Sequence, residues 1–432
     1  HRRSPVRGRA RVDLVICASH GGVWRNDGST EWAGEDVALA AAVPEIDVIV
    51  GGHSHTPVPE PIHEGRTIIL QAGSEGRYVG ELHLTITSEG AVAQNYRLHA
   101  VTDSIPADTL MQAEVQRYIA SINQSVLAPQ GYAFEQILAE TDFDLTVRED
   151  NSNLGNLVSD AIQWSITQYQ PGSPVLAVES NGLIRDDILR GQSGLLQVSD
   201  LFRIVPLGLG MVDSSAGYPL VSFYLTAMEL KRALEVLTSL YPRKGSNYYL
   251  QPAGLRFYFN PNRLPFDRVY EIEMEGENGW QPLALSSATP RLYRVGCNIY
   301  LATFIKLVGD FTFGFLRMTP KDSMGRPIAD LNTALVDARP DLPGVQELKE
   351  WQALLNYVRS FADTDGDGIP NMPERYRQPQ TRISSVASFS PALLYKNATS
   401  VMWGATLGAL VLIAFALACN WYWLKRKYTR CG

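Results

Sequence analysis

Residues 43–56 read Val43-Pro-Glu-Ile-Asp-Val-Ile-Val-Gly-Gly-His53-Ser-His55-Thr56, and the architecture of the N-terminal part follows from them. The apolar run at 46–50 predicts a buried strand, and the two glycines after it predict a turn. Residues two apart on an extended backbone point to the same face, so the two imidazole rings are expected side by side. Neutral imidazole is a common ligand of zinc, manganese or iron, which makes this turn a candidate metal site.

A second strand and a helix precede this turn. Residues 12–18 are apolar and β-branched and predict a buried strand, while the acidic, alanine-rich residues 35–42 predict a short helix. Strand, helix and strand in this order imply an α/β (α+β) fold. His20 follows the first strand, and sites in α/β sheets collect at strand ends. Three further histidines have no flanking motif and are expected to be ordinary surface or core residues: His63, His83 and His99.

The hydrophobic pattern divides the chain into segments. Apolar side chains at helical spacing, without internal glycine or proline, predict a long helix at 108–126. From about residue 134, helical patterns again alternate with short strands. We expect a first α/β domain in residues 1–105, a linker helix in 106–130, a second α/β domain in 131–345, a stalk in 346–398, a transmembrane helix in 399–424 and a cytoplasmic tail in 425–432.

The predicted stalk contains an acidic loop with the spacing of a calcium-binding EF-hand. Oxygen ligands fall at loop positions 1, 3, 5, 9 and 12, with glycine at 6 and a backbone carbonyl at 7. In order, these ligands are Asp363, Asp365, Asp367, the carbonyl of Ile369, Asn371 and Glu374. Prolines at 370 and 373 argue against an exiting helix. We therefore predict an isolated, Ca²⁺-stabilised loop that stiffens the stalk, with a solvated acidic turn as the alternative.

The C-terminal apolar segment is long enough to cross a membrane. Residues 401–419 contain no charged side chain, and aromatic residues follow at 421–423, as at a membrane interface. Four basic residues come next: Lys425, Arg426, Lys427 and Arg430. Because basic flanks stay in the cytoplasm, we predict a single-pass protein of the cell membrane with its large N-terminal part outside. A buried core helix is the alternative reading of residues 401–424.

Charge and cysteine content exclude two classes of protein. The 432 residues carry 38 basic and 45 acidic side chains, a net charge of −7. This balance gives no general attraction for a polyanion, so no nucleic acid polymer is expected as a partner. The four cysteines form no Cys-x-x-Cys pair, which leaves neither a zinc ribbon nor a disulfide framework.

The order of the N-terminal motifs resembles a known family. The motifs are Asp13-Leu-Val-Ile-Cys-Ala-Ser-His20-Gly, Glu35-Asp36, the histidine turn, Ile69-Leu-Gln-Ala-Gly73 and Tyr78-Val-Gly80. Over residues 12–86 they resemble the second half of the calcineurin-like metallophosphoesterase domain of 5'-nucleotidases and 2',3'-cyclic-nucleotide phosphodiesterases. The resemblance implies two divalent transition metals of the zinc, manganese or iron type, with His20 and His53 on one and His55 on the other. Such a pair holds a hydroxide for in-line attack on phosphorus.

The same resemblance implies groups that these 432 residues do not contain. Such domains also use an Asp-x-His, a Gly-Asp whose carboxylate bridges the metals, and an Asn-His whose imidazole stabilises the reacting oxygen. No histidine here follows Asp-x or Asn, and no Gly-Asp precedes His20, so no catalytic residue of the family is present. The arginine-rich opening from His1 fits a truncated or misread start. We therefore expect this chain to be inactive or incomplete as an enzyme.

Residues 148–161 and 180–191 resemble the C-terminal nucleotidase domain of the same family, more loosely to about residue 339. The resemblance implies that Arg148 and Arg185 grip the substrate phosphate, a task suited to a planar guanidinium that donates two parallel hydrogen bonds. A surface salt bridge is the alternative for each arginine. Further substrate contacts are implied at Asn181, Tyr300 and Asp310.

The expected base-binding position departs from the family. In the family, a nucleobase stacks between two aromatic rings, one of them in a Pro-Phe-Gly turn. Here that turn reads Pro206-Leu207-Gly208, and Tyr300 is the candidate for the second ring. Specificity for a nucleobase is therefore open, and a different phosphate ester remains an alternative.

Two functions fit the sequence. The first is a membrane-anchored ectoenzyme that hydrolyses phosphate esters of nucleotides with metal ions. The second is a non-catalytic membrane protein that keeps the substrate domain to bind nucleotides or to contact another protein. DNA upstream of His1 that encodes the missing motifs would favour the first.

Overall fold

The computed structural model describes residues 12–428 except 26–28, 88–89, 103, 149, 242–247, 277, 286–290, 313 and 315. The side chains at 306, 310, 311, 401, 422 and 424–428 also fall outside the description. The chain forms two compact units, His1–Arg117 and Tyr118–Gly432. Both combine helices with β-sheets, which confirms the mixed α/β class.

The first unit is built on a four-stranded sheet. Its elements are β1 (Ile16–Ala18), β2 (Trp24–Arg25), β3 (Trp32–Ala33), α1 (Glu35–Ala42), β4 (Val48–Val50), β5 (Ile62–Glu64) and β6 (Thr67–Leu70). The sheet order is β1-β4-β6-β5, with the first three strands parallel and β5 antiparallel to β6. Parallel strands are buried on both faces, and Ile49 and Ile69 are accordingly fully buried.

The carboxyl ends of the three parallel strands meet at one edge of this sheet. There the backbone N–H of Ser19 donates to the carbonyl of Val50 (2.9 Å), and that of Gly51 donates to the carbonyl of Leu70 (2.7 Å). The loops after β1 and β4 therefore leave the sheet side by side, and these loops carry His20, His53 and His55.

A hairpin and a helical stretch follow. The hairpin pairs β7 (Tyr78–Thr87) with β8 (Gly90–Ala100), and α2 (Thr109–Ile122) comes next. The predicted linker helix continues beyond α2 as one π-helical turn, Asn123–Leu127, and one 3-10 turn, Ala128–Gln130. Gly131, with φ 77°, ends it in the left-handed conformation that glycine adopts without strain.

The second unit contains two four-stranded sheets and one strand pair, built from strands that are numbered β9 to β18 in chain order with the ranges given next. The first sheet is mixed and has the order β12-β17-β10-β13, the second has the order β16-β15-β14-β18, and the pair is β11-β9. Its strands are β9 (Ile137–Glu140), β10 (Val175–Ser180), β11 (Leu195–Gln197), β12 (Leu220–Thr226), β13 (Leu250–Ala253), β14 (Leu255–Phe259), β15 (Val269–Gly276), β16 (Gly279–Pro282), β17 (Leu292–Asn298) and β18 (Ile383–Ser385). Its α-helices are α3 (Asn153–Tyr169), α4 (Val198–Phe202), α5 (Ala227–Glu235), α6 (Ile299–Phe311), α7 (Glu350–Arg359), α8 (Pro391–Tyr395) and α9 (Ser400–Tyr428).

Much of the segment that we predicted as a stalk is part of this unit. Helix α7 has apolar side chains at i, i+3, i+4 and i+7, and it buries Trp351, Leu354 and Val358 in the core shared with α3. Strand β18 pairs in parallel with β14. Tyr376 is fully buried and donates a hydrogen bond to Asp160 (2.8 Å). Residues 350–385 therefore pack as part of the domain rather than as a spacer.

Helix α9 is long and apolar enough to cross a membrane between Met402 and Trp421. Its large apolar side chains remain mostly uncovered by the described part of the chain; Leu412, for example, is 69% exposed. The helix extends to Tyr428, beyond the predicted end at 424. Residues 429–432 of the predicted cytoplasmic tail, and the side chains of Lys425, Arg426 and Lys427, lie outside the described set.

Candidate functional site

His20 and His53 lie together at the edge of the first sheet. The Nδ1 atom of His53 is 3.3 Å from Nε2 of His20, and the ring centroids are 4.8 Å apart. Both rings are exposed. Two nitrogens that bind one metal ion at about 2.0–2.1 Å would lie roughly 3.0–3.4 Å from each other. The observed pair therefore fits two ligands of one ion.

His55 is also exposed but does not complete a three-ligand cluster with the pair within the described residues. The assignment of His55 to a different metal from His20 and His53, which the resemblance implies, stays a prediction. The backbone differs from the extended turn that we expected. His53 (φ 66°) and His55 (φ 55°) are both left-handed, a conformation that is strained for residues other than glycine.

Ser54 holds this strained turn in place. Its hydroxyl donates to the carbonyl of Val23 (2.7 Å) and accepts from the backbone N–H of Val23 (3.1 Å) and from Nε2 of Gln71 (2.9 Å). Strained backbone persists where the surrounding structure over-determines it, and three hydrogen bonds on one hydroxyl do so here.

Asp36 connects the loops that carry the histidines. Its carboxylate is fully buried at the start of α1, where it accepts hydrogen bonds from the N–H of Gly22 (3.0 Å) and from the hydroxyl of Ser19. A Cβ at Gly51 would lie only 2.4 Å from this carboxylate, so the loop after β4 needs glycine there. Asp36 thus positions the loop of His20 next to that of His53.

In the second unit, a buried amide network supports the two candidate arginines. Asn181 donates from Nδ2 to the carbonyl of Arg148 (2.6 Å) and accepts from Nε2 of Gln251 (2.9 Å). Asn181 also begins a 3-10 turn in which the carbonyl of Gly182 accepts from Nη1 of Arg185 (3.2 Å). We predicted Asn181 as a substrate contact, but both polar atoms of its amide bind protein groups. In this structure it positions the arginines.

Both guanidinium groups are exposed, and neither forms an ion pair with a described carboxylate. The neighbouring acidic residues are engaged elsewhere: Asp186 pairs with Arg203 (3.2 Å), and Asp187 accepts from the N–H of Val147 (2.9 Å). Arg148 and Arg185 can therefore donate bidentate hydrogen bonds to an anionic ligand. Within the described part of the chain, no carboxylate forms the surface salt bridge that was the alternative for Arg148 and Arg185.

Tyr300, near the start of α6, stacks on Tyr218, with ring centroids 5.3 Å apart and planes inclined by 28°. Tyr218 donates its N–H to the carbonyl of Leu207 (2.8 Å), and its ring covers Gly208, which has φ 88°. A ring therefore stands beside the Pro-Leu-Gly turn although the turn itself carries none. Tyr218 has no local signal in the sequence, because it is the bridge between Leu209 and Ala216 after the turn that returns it to Gly208. The side chain of Asp310 falls outside the described residues.

The acidic loop receives an unexpected residue from β9. Ligand atoms of Glu140, Asp365 and Asp367 all lie within 4.8 Å of one another. Calcium binds oxygen atoms at about 2.3–2.6 Å, so ligands on opposite sides of one ion lie roughly 4.6–5.2 Å apart. The backbones of Glu140 and Asn371 form a β-bridge, and Asn371 donates from Nδ2 to Glu140 (2.6 Å). No local signal in the sequence links residues so distant along the chain.

The remaining predicted calcium ligands are bound within the protein. Asp363 accepts from the N–H groups of Gly366 (2.7 Å) and Gly368 (2.9 Å), which hold the pKa of this carboxyl below its usual value. The Oδ1 atom of Asn371 accepts from the hydroxyl of Thr364 (2.7 Å). Glu374 accepts from Nε of Arg377 (2.6 Å). The structure thus clusters Asp365 and Asp367 but not the other predicted side chains.

Comparison with known proteins finds a family match within the second unit. Residues 131–303 match the family model for the 5'-nucleotidase, C-terminal domain. The α/β layers and the two exposed arginines that we describe lie in this matched region. This part of the second unit is therefore similar to the C-terminal domain of 5'-nucleotidases.

Three relatives extend the match. The chain is 23% identical to the 5'-nucleotidase of Mus musculus over 351 residues, which cover 76% of this chain and 58% of that protein. It is 25% identical to the trifunctional nucleotide phosphoesterase protein YfkN of Bacillus subtilis (strain 168) over 297 residues, 67% of this chain and 18% of that protein. The 5'-nucleotidase precursor from Thermus thermophilus has the same fold, with a TM-score of 0.55 and 22% identity over 89% of this chain and 66% of that one.

The match over residues 131–303 and the similarity to 5'-nucleotidases support the resemblance to the 5'-nucleotidase family that the sequence motifs suggested. It spans less than two thirds of the length of each of these three relatives.

Proposed function

We propose that this chain takes part in the metal-dependent hydrolysis of phosphate esters of nucleotides. The observation that carries the proposal is the 3.3 Å separation of the His20 and His53 nitrogens, which suits two ligands of one divalent transition metal. His55 would bind the second metal. When bound, the metals supply Lewis acidity and a nucleophilic hydroxide. Arg148 and Arg185, free of ion pairs with described residues, would hold the phosphate.

Metal binding can be tested without turnover. Co²⁺ gives a visible absorption spectrum that reports imidazole ligation, and His53→Ala should weaken Co²⁺ binding by about tenfold or more through loss of a direct ligand. His63→Ala is the matched control, because His63 is another exposed histidine of the first unit outside the proposed site. Equal Co²⁺ affinity in the wild type and in His53→Ala would remove His53 from the metal shell.

We expect the 432 residues to show negligible phosphatase activity by themselves, because the Asp-x-His, Gly-Asp and Asn-His motifs of the family are not among them. Release of phosphate from AMP with saturating Mn²⁺, Zn²⁺ or Fe²⁺ tests this expectation. Robust turnover by the purified chain, lost in His53→Ala, would show that these motifs are dispensable.

A second candidate function is nucleotide binding without catalysis, favoured by the two exposed arginines. Hydrogen bonds to charged groups contribute about 1.5–3 kcal/mol, so Arg185→Ala should weaken AMP binding by roughly tenfold or more. Arg190→Ala is the control, since Arg190 is also exposed and lies on the same loop. Calorimetric titration in the presence of a chelator isolates this contribution. Equal affinities in Arg185→Ala and the wild type would contradict the role of Arg185.

We also infer a bound Ca²⁺ at the acidic loop, held by Asp365, Asp367 and Glu140. The clustering within 4.8 Å and the EF-hand spacing support it. The other predicted ligands would join by local rearrangement of the loop, with the ion fastening the loop to β9. This site serves stability rather than catalysis.

Finally, we propose that α9 anchors the chain in a membrane, with the large N-terminal part on the outer side. Its length, its lack of charge from Met402 to Trp421 and its uncovered apolar side chains support this role. Carbonate extraction of membranes from expressing cells tests anchoring, and proteolysis of intact cells tests the side. A chain released by carbonate would contradict the anchor.

A further inference from the structure

The short helix α8 lies alongside the first turns of α9. The Tyr395 ring stacks on Trp403, with ring centroids 4.7 Å apart, and its hydroxyl is 3.0 Å from Oγ1 of Thr406. The apolar segment begins at Met402. At a rise of about 1.5 Å per residue, Thr406 lies roughly 6 Å along the axis beyond that point. The C-terminal end of α8 is therefore level with the apolar segment and does not sit above it.

The connection between α8 and α9 is fixed by three charged side chains that are at most 2% exposed: Lys231, Arg263 and Asp267. The contacts are Lys231 Nζ to Asn397 O (3.1 Å), Arg263 Nη1 to Lys396 O (2.9 Å) and Thr399 N to Asp267 Oδ2 (3.0 Å). Lys231 and Arg263 also form ion pairs with Asp267. Removing one partner from a buried charge cluster is strongly unfavourable, so the connection holds α8 beside α9 as a rigid joint.

The apolar side chain of Phe389 lies just before the start of α8. Phe389 is 78% exposed, although a phenylalanine gains about 1.5–3 kcal/mol on full burial. Its position is set by Ser388, whose carbonyl accepts from Nδ2 of Asn260 (2.8 Å) and whose N–H donates to Oδ1 of Asn260 (3.2 Å). Proline at 391 favours the start of α8. Phe389 is thus held beside α8 without being covered by it.

We propose that Phe389 and α8 form an interfacial element that inserts into the lipid bilayer at the level where α9 enters it. This inference rests on the proposed membrane anchor. Tyr395, which packs on the first turns of α9, shares the depth of that helix in the bilayer, and Phe389 is joined to it through the short helix α8. Tyr395 and Trp403 then occupy the interface, where aromatic residues with a polar atom are enriched, and Phe389 contacts acyl chains. The domain consequently lies against the membrane surface.

The test uses photo-crosslinking of the full chain in phosphatidylcholine vesicles. Phe389 is replaced by p-benzoylphenylalanine, which reacts with nearby C–H bonds, and lipid adducts are detected by mass spectrometry. Leu410, in the middle of the apolar segment and 58% exposed, is the positive reference. Met324, 68% exposed on the second unit, is the reference for chance contact. All three side chains are exposed, so the replacements leave the core intact.

We expect lipid adducts from positions 389 and 410 and few from 324. Adducts from 410 with none from 389 would overturn the interfacial element while leaving the anchor standing. Adducts from none of the positions would overturn the anchor and the inference together. Equal yields from 389 and 324, or crosslinks from 389 to a second copy of the chain, would also contradict contact of Phe389 with lipid.

Discussion

Two groups of neighbouring carboxylates in the second unit differ in their access to solvent. Glu179 and Glu350 are at most 3% exposed, and Nδ2 of Asn298 donates to both (2.8 and 3.1 Å). Glu140, Asp365 and Asp367 gather at the surface, with ligand atoms within 4.8 Å. Adjacent carboxylates cannot all stay ionised without a compensating charge. The buried pair can take only a proton, whereas the surface group is open to a cation.

The electrostatics of the two groups follow this difference. Burial raises the pKa of both Glu179 and Glu350, and the neighbouring charge of Glu179 adds to the rise for Glu350, whose pKa lies well above its usual value. At the surface, burial and then the charges of Asp367 and Asp365 raise the pKa of Glu140. The surface carboxylates, unlike the buried pair, are therefore accessible to a cation from solvent.

The largest expected effect comes from removing calcium. An ion that binds only the folded state at about 100 times its Kd contributes about 2.7 kcal/mol, which corresponds to a Tm shift of roughly 4 °C for a unit of this size. Scanning calorimetry of the detergent-solubilised chain with Ca²⁺ and with EGTA measures it. Mg²⁺ at the same concentration is the control, because it prefers a smaller, octahedral site. Equal Tm values with Ca²⁺ and with EGTA would contradict the proposed binding of Ca²⁺ to the surface carboxylates.

The second prediction concerns Glu140, the calcium ligand that we propose β9 contributes. Glu140→Gln keeps the shape of the side chain and removes its charge, and should weaken Ca²⁺ binding by about tenfold or more. Glu135→Gln is the matched control, since Glu135 is exposed on the segment that leads into β9. Calcium titration followed by calorimetry compares the three proteins. Equal affinity in Glu140→Gln and the wild type would restrict the site to the loop.

The same comparison shows what could be predicted from the sequence. Asp365 and Asp367 are readable because calcium ligands within one loop follow a fixed spacing. Glu140 is not, because a strand far away in sequence delivers it through a β-bridge to Asn371. The positions of His20 and His53 after strand ends could be predicted, since parallel strands deliver their carboxyl ends to one edge. The left-handed turn at His53 depends on tertiary hydrogen bonds of Ser54 and has no local signal.

The third prediction tests the proton at the buried pair. A carboxyl with a higher pKa in the folded state contributes stability below its unfolded pKa and loses this contribution as pH rises towards the folded pKa. The wild type should therefore lose up to about 1.4 kcal/mol per pH unit from this pair above roughly pH 5. Glu350→Gln, whose amide can donate a hydrogen bond at any pH, should lack this part of the decline. Thermal melts from pH 5 to pH 8 measure the difference.

Among the residues that the structure describes, Cys297 and Tyr218 also interact with this pair. Burial raises the pKa of the Cys297 thiol and of the Tyr218 hydroxyl, so both stay neutral across this range. Glu135→Gln again serves as the control and should show the pH profile of the wild type. If Glu350→Gln also keeps that profile, the buried pair is not the source of the pH dependence.

The smallest effect on stability is expected at Asp213, a carboxylate whose charge is compensated by Lys349. Lys349 is buried and pairs with Glu347 (2.5 Å) and with the half-exposed Asp213 (2.8 Å). Burial works to raise the pKa of Asp213, but hydrogen bonds from Lys349 and Ser215 outweigh it and lower this pKa to about 2. Asp213 therefore contributes stability at neutral pH that is lost only as pH falls towards about 2.

Asp213→Asn should cost less than about 1 kcal/mol at pH 7, because solvent screens this side of the cluster and Glu347 still neutralises Lys349. Glu347→Gln, which leaves the buried ammonium with only its exposed partner, should cost more. Urea melts of the two variants provide the comparison. A larger loss in Asp213→Asn than in Glu347→Gln would mean that burial does not set the strength of these charge pairs, and the distinction between the two carboxylate groups would lose its physical basis.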